Sequence, residues 1–193
     1  MPVEIRQDLI KSIKDGDRKS FGILIDQCSQ YVYKISLKMI GDVDDAKDAA
    51  QDTFVKVWQK IHTYNGSYKF TTWLYKITMN TCLDKIRKSK RHYTVVREMD
   101  LQNDQQVEST SNQAVRYEEK QLIEFIKNIS STLSAKQHAV FVLHDLEDFT
   151  QEEIAEIIGM SKNRVKSNLY YARKAIRHKL KLSDKKITAN YEL

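Results

Sequence analysis

Residues 151–170 read QEEIAEIIGMSKNRVKSNLY. Ala155 is small where two helices must cross closely, Gly159 falls four residues later in the expected turn, and Val165 returns to the core six after that. This spacing is that of a helix-turn-helix, whose second helix enters the major groove of DNA. Ser161 is placed to cap that second helix. Val165, Leu169, Ala172, Ile176 and Leu180 supply its apolar stripe. Between Ser161 and Lys181 stand eight basic residues and no acid: Lys162, Arg164, Lys166, Arg173, Lys174, Arg177, Lys179 and Lys181. So one-sided a charge is costly unless a polyanion neutralises it. Ser161, Lys162, Asn163, Arg164, Lys166 and Ser167 are expected to face bases, with Asn168 and Tyr171 also on the DNA-binding side and Arg173 and Lys174 further along on phosphates. Asp148, Glu152, Glu153 and Glu156 are expected to face away from DNA.

Around this element the chain punctuates itself sparsely. One Pro and five Gly in 193 residues leave little to break helices, and the long periodic runs predict an all-α protein. Expected helices span 4–14, 17–40, a third capped by Asp42, 71–90, 114–129, 134–147, 150–158 and 161–180. Residues 98–113, EMDLQNDQQVESTSNQ, hold four acids, no Lys or Arg and no aromatic, which is the composition of a linker. The organisation expected is two small helical domains: 1–92, a flexible linker at 93–113, a helix-turn-helix domain at 114–182, and a frayed tail at 183–193.

The N-terminal half carries two further features. On the third expected helix Asp42, Asp45, Asp48 and Asp52 recur every three or four residues. A metal site is disfavoured without His or Glu-x-x-His pairs, which leaves a solvated acidic face or a docking face for a basic partner. Then comes YNGSYKFTTWLYKITMN, Tyr64 to Asn80, with five of the 18 aromatic residues of the chain. Trp73, Leu74 and Ile77 are expected in the core. Tyr64, Tyr68 and Lys69, set among Asn65, Gly66 and Ser67, are expected to be exposed, where rings beside Lys85, Arg87, Lys88, Lys90 and Arg91 suit stacking on unpaired bases.

Several classes are excluded or disfavoured. There is no P-loop, GxSxG or HExxH, so no enzyme and no cofactor or metal is expected. Cys28 and Cys82 lie in apolar helical surroundings without CxxC spacing, and read as buried small residues in a reducing compartment. The first residues are charged and lack an apolar h-region, and no apolar run approaches a membrane span, so the expectation is a cytoplasmic protein without membrane insertion.

GDVDDAKDAAQDTFVKVWQKIHTYNGSYKFTTWLYKITMNTCLDKIRKSKR resembles region 2 of bacterial sigma factors, and LSAKQHAVFVLHDLEDFTQEEIAEIIGMSKNRVKSNLYYARKAIRHKL resembles their region 4. Two such motifs in this order, joined by a short linker, resemble the extracytoplasmic-function (ECF) group. The resemblance implies a factor that binds core RNA polymerase and directs initiation at promoter DNA. It implies that Asp45, Asp48, Gln51, Asp52, Phe54 and Trp58 dock on the β′ coiled-coil. It implies that Tyr64, Asn65, Gly66, Ser67, Tyr68, Lys69 and Phe70 capture a flipped base of the −10 element. Trp73, Lys76 and Asn80 would lie along the melted strand or its upstream duplex edge, and the Ser161 helix would read the −35 element. The linker would thread near the RNA exit path of the polymerase, the β subunit would be contacted as well as β′, and an anti-sigma factor would be a partner. The chain departs from the family pattern at Leu133-Ser134, where Leu-Pro is common, at Ala49-Ala50, where bulkier residues are common, and at Asn163-Arg164, where Gly-Thr is familiar. The alternative is a plain helix-turn-helix regulator with an N-terminal effector or dimerisation module, which leaves the aromatic loop and acidic helix without a role.

Overall fold

The computed structural model describes residues 5–96, 113–130 and 132–191. Every regular element among them is helical: α1 Gln7–Lys14, α2 Arg18–Ile40, α3 Val43–Lys60, α4 Phe70–Val96, α5 Gln113–Ser130, α6 Ala135–Phe141, α7 Gln151–Ile158 and α8 Lys162–Tyr191. The chain divides into two compact units, Met1–Ile126 and Lys127–Leu193. The division falls inside α5, later than the expected linker at 93–113; residues 97–112 of that linker lie outside the described residues.

In the first unit, caps written in the sequence set the helix ends. Asp17 accepts from the backbone N–H groups of Lys19 and Ser20, and Asp42 from those of Asp44 and Asp45, satisfying donors that a helix start leaves orphaned. Gly41 closes α2 at φ 73°, a left-handed conformation that suits glycine. α2, α3 and α4 then pack on one another, and α1 lies against α2. Leu24, Val32, Val57, Ile61 and Leu74 form the centre of the core, with Ile10 and Ile13 of α1 added at its edge. Buried threonines within these helices satisfy themselves: Thr53 donates to the Ala49 carbonyl at 2.7 Å and Thr78 to that of Leu74 at 3.0 Å. Such bonds within the helix let polar residues enter an apolar core without an unpaired donor.

The second unit is built around α8, against which α6 and α7 pack. Ser134 and Gln137 form a reciprocal capping box at the start of α6, and Thr150 and Glu153 another at α7. Ser134 thus starts its helix where the family pattern often has proline. After α6 the chain widens into a π-type turn over Val142–Leu146. The apolar stripe of α8 is buried at Val165, Leu169, Ala172 and Ile176.

Some boundaries differ from the expectation. α1 starts at Gln7, and Glu4 is outside the described residues. α4 extends to Val96 rather than Lys90, and α8 to Tyr191 rather than ending near Leu180. Residues 183–191 are therefore helical and not a frayed tail, since neither Gly nor Pro interrupts α8 after Ser183. Leu180 is 53% exposed, so the buried stripe ends at Ile176. No helix among the described residues is long and apolar enough to cross a membrane.

Both cysteines are buried, and burial pushes each thiol up to about 11, with a contact to the Ser36 hydroxyl at 3.6 Å opposing the shift at Cys82. A raised thiol pKa means that the fold favours the neutral form, so the stabilisation is complete below about pH 9 and is lost as pH climbs towards 11. Between those values the parent chain is expected to lose stability faster than a Cys28→Ala/Cys82→Ala variant, as urea unfolding at stepped pH would measure. Parallel pH curves for the two proteins would refute the burial argument.

Candidate nucleic-acid interface

Three separate surfaces carry the chemistry. The first is the helix-turn-helix of α7 and α8. Gly159 adopts φ 68°, and the N–H groups of Gly159 and Met160 both donate to the Ala155 carbonyl, at 3.0 and 3.1 Å. This tight double closure ends α7 and lets the chain turn into α8. It brings Ser161, Lys162, Asn163, Arg164, Lys166 and Ser167 out into solvent on the first turns of α8. The Ser161 carbonyl accepts from Val165 N–H, so Ser161 is joined to the helix start. Two of the polar side chains lie back along the helix: Ser167 donates to the Asn163 carbonyl and Asn168 to the Arg164 carbonyl at 2.7 Å. Tyr171 is exposed, with its ring edge-on to that of Tyr170 at 5.3 Å.

The cations of α8 are not all free. Lys162 forms an ion pair with Glu152 of α7. The pair partly neutralises the positive end of the array, and reduces the pKa of the Glu152 carboxyl through the Lys162 hydrogen bond. Arg173 is held more firmly. Its guanidinium grips the Asp145 carboxylate through Nε at 2.9 Å and Nη2 at 2.5 Å, and His144 Nδ1 lies 2.9 Å from the same carboxylate. Burial raises the Asp145 pKa, but the hydrogen bonds from Arg173 and His144 outweigh it and hold the group below its ordinary value. Arg173 thus ties the π-type turn to α8, whereas sequence spacing alone had placed it with the free phosphate contacts.

The second surface is the loop before α4. Asn65 Oδ1 accepts from Ser67 N–H at 3.1 Å and from its hydroxyl, closing an Asx turn around Gly66, whose φ is 79°. Asn65, Gly66, Ser67 and Lys69 are exposed and Tyr68 is half-buried. Tyr64 is the correction: it was expected to be exposed, yet it is only 3% accessible. Its ring meets Phe70 edge-on at 5.3 Å and Trp73 at 5.7 Å, while Phe70 and Trp73 lie 5.5 Å apart. Three rings in mutual contact form an apolar floor worth more together than their area alone. The Tyr64 hydroxyl donates across the loop to the Tyr68 carbonyl at 2.8 Å, which explains how a phenol enters the core beside polar residues. Trp73 is in the core as expected, and of the α4 positions singled out only Asn80 is fully exposed, with Lys76 half-buried.

The third surface is the acidic side of α3. Asp45, Asp48, Gln51 and Asp52 are exposed together, as their spacing predicts. Lys85 of α4 reaches across to both Asp45 and Asp48, at 3.4 Å each, so two of the carboxylates already share a cation. Phe54 is buried in the core and Trp58 half-buried against Phe21, ring centres 4.9 Å apart, so both rings support the face from behind. Sequence reasoning passed over Val55, which is 56% exposed between Gln51 and Trp58. An apolar residue breaking the polar side of an amphipathic helix was the signal available for it. Among the described residues no cluster of His, Cys, Asp or Glu is arranged to hold a metal ion.

Comparison with known proteins fits this layout. The sigma-70 region 2 family matches residues 24–92 and the sigma-70 region 4 family residues 126–176. The ECF RNA polymerase sigma factor SigW of Bacillus subtilis is 29% identical over 185 residues, covering 89% of this chain and 95% of that protein. RNA polymerase sigma factor SigV of the same organism is 31% identical over 156 residues, covering 80% and 87%. In fold, the chain is similar to CnrH, solved in complex with the cytosolic domain of CnrY, with a TM-score of 0.65 at 21% identity over 90% of this chain and 96% of that one. It is also similar to sigma factor RpoE of Bartonella quintana, solved with the anti-sigma factor NepR, with a TM-score of 0.64 at 23% identity over 84% and 98%. The chain belongs to the extracytoplasmic-function group of RNA polymerase sigma factors. It is accordingly a DNA-binding transcription initiation factor.

The Arg173 grip gives a direct test. Asp145→Asn is expected to cost the second unit about 1 kcal/mol at neutral pH, a value kept low because Arg173 is half exposed. Because the Asp145 pKa is depressed, its contribution is present above the ordinary carboxylate pKa and is lost as pH falls through the folded value. Thermal melts of parent and variant are therefore expected to differ near pH 7 and to converge in strong acid. A constant difference across that range would rule out the ion pair as its source.

Proposed function

We propose that the three surfaces divide the work of promoter-specific initiation. The acidic side of α3, through Asp45, Asp48, Gln51, Asp52 and Val55, docks on the β′ coiled-coil of core RNA polymerase, with Phe54 and Trp58 as its backing. The start of α8, through Ser161, Lys162, Asn163, Arg164, Lys166 and Ser167 with Asn168, Tyr171 and Lys174, reads the −35 element. The loop from Tyr64 to Phe70 captures a flipped base of the −10 element, with Lys76 and Asn80 along the displaced strand and Trp73 beneath. The domains that do this are residues 1–92 and 114–182, with 93–113 as a linker past the β subunit. The protein acts in the cytoplasm, where polymerase and promoter are, by binding and without catalysis of its own.

The observation that carries this reading is the loop. Its rim of Asn65, Gly66, Ser67 and Lys69 is open to solvent, and its floor of Tyr64, Phe70 and Trp73 is packed. A flipped base needs a shaped, pre-organised receptacle, because unstacking costs a few kcal/mol that capture must offset. A plain regulator of duplex DNA has no use for such a loop. Since CnrH was solved with a domain of CnrY and RpoE with the anti-sigma factor NepR, we also assign this chain an anti-sigma partner.

Reconstituted transcription with core polymerase is the primary test: initiation from defined start sites on genomic fragments supports the reading, and its absence under all conditions overturns it. Arg164→Ala is expected to weaken binding by about 1–3 kcal/mol at particular −35 base pairs. An equal loss on every sequence would make Arg164 a phosphate contact instead. Tyr68→Ala is expected to impair strand opening more than duplex binding, so equal affinity of variant and parent holoenzymes for −10 single strand would reject base stacking there.

A further inference from the structure

The match to sigma-70 region 2 begins at residue 24, so α1 lies outside it. Yet α1 is firmly attached. Ile10 and Ile13 are almost wholly buried in the same core as Tyr64 and Trp73. Its last residue, Lys14, does something that core packing does not require. The Lys14 ammonium donates to the Tyr64 carbonyl at 2.5 Å, across fifty residues of sequence, and sits 5.7 Å from the centre of the Tyr64 ring. The bond is partly buried and charge-assisted, and cation and ring attract each other as well.

Tyr64 is then held at both ends. Lys14 fixes its main chain, and its own hydroxyl is bonded to the Tyr68 carbonyl at 2.8 Å. The stretch between those anchors is the Asx turn of Asn65 to Ser67. Displacing the Tyr64 carbonyl would move the origin of that turn, and with it the half-exposed Tyr68 ring and the exposed Lys69.

We propose that Lys14 is a positioning residue for −10 strand capture: through Tyr64 it holds the 64–70 loop in the shape that receives a flipped base, so that α1 is part of the promoter-opening apparatus. This rests on the reading of the loop given above. A clamp of this kind lowers the ordering cost that capture would otherwise include. It adds nothing to recognition of duplex DNA by α8.

The test uses holoenzyme assembled from the full chain and core polymerase, on a genomic promoter fragment selected for initiation by that holoenzyme. Opening is read as permanganate reactivity of unpaired thymines, and upstream binding as affinity for a duplex that ends before the −10 element. Lys14→Met is expected to reduce opening about tenfold, the order for loss of one hydrogen bond to a charged group, while leaving upstream duplex affinity unchanged. Lys14→Arg, which keeps charge and donor, is expected to restore most of the opening. Tyr64→Phe, which deletes only the hydroxyl bond to Tyr68, is expected to show the same selective defect and serves if Lys14→Met does not fold. If Tyr68→Ala opens poorly but Lys14→Met and Tyr64→Phe open as the parent does, the loop reading stands and the positioning role falls. If all three open normally, the loop reading falls and takes the proposal with it. Equal losses in opening and in upstream binding would make Lys14 a stability residue only, as would failure of Lys14→Arg to restore opening.

Discussion

Burial of the Tyr64 ring is the constraint on which the first unit's functional surface depends. The ring closes the core between the end of α3 and the start of α4, in contact with Phe70 and Trp73. Its two polar ends must still be satisfied, because an unpaired buried polar group costs more than a hydrogen bond gains. The hydroxyl finds Tyr68 and the carbonyl finds Lys14. The shape of the loop therefore follows from an obligation of the core. A segment of polar and glycine residues, which would be mobile by composition, is specified by what lies beneath it.

The same economy appears in the second unit. α8 presents a run of cations, and two of them are paired within the unit. Arg173 is fastened to Asp145 and Lys162 to Glu152, while Arg164, Lys166, Lys174 and Arg177 remain exposed to solvent. A bidentate guanidinium–carboxylate pair fixes geometry as well as charge. On α3 the logic runs with signs reversed, with Lys85 of α4 set between Asp45 and Asp48. Each surface keeps its net sign and gives up part of its charge to hold neighbouring helices in register.

Much of this was legible in the order of residues. Asp42 announced its cap, and Gly159 with Ala155 and Val165 announced the turn between α7 and α8, because each answers a local demand of the backbone. The acidic side of α3 and the cations of α8 followed from helical spacing. Tyr64 was not legible, since Asn65, Gly66 and Ser67 around it suggest a solvent loop, and only the fold brings Phe70 and Trp73 of α4 against its ring, Lys14 of α1 to its carbonyl and the Tyr68 carbonyl to its hydroxyl. Phe54 also reads ambiguously, because one helix carries both a core face and an exposed acidic face and a residue at the border falls on either side by a fraction of a turn.

The sequence by itself determined the helical class, the helix-turn-helix and the sign of charge on each functional helix. These depend on periodicity and capping, which act within about one turn of the chain. The tertiary structure alone decided which charges are free, which rings are floor and which are rim, and that α1 reaches the loop. Those are outcomes of contact between residues as much as fifty apart, and no local rule encodes which partner a Lys, an Arg or a buried Tyr will meet.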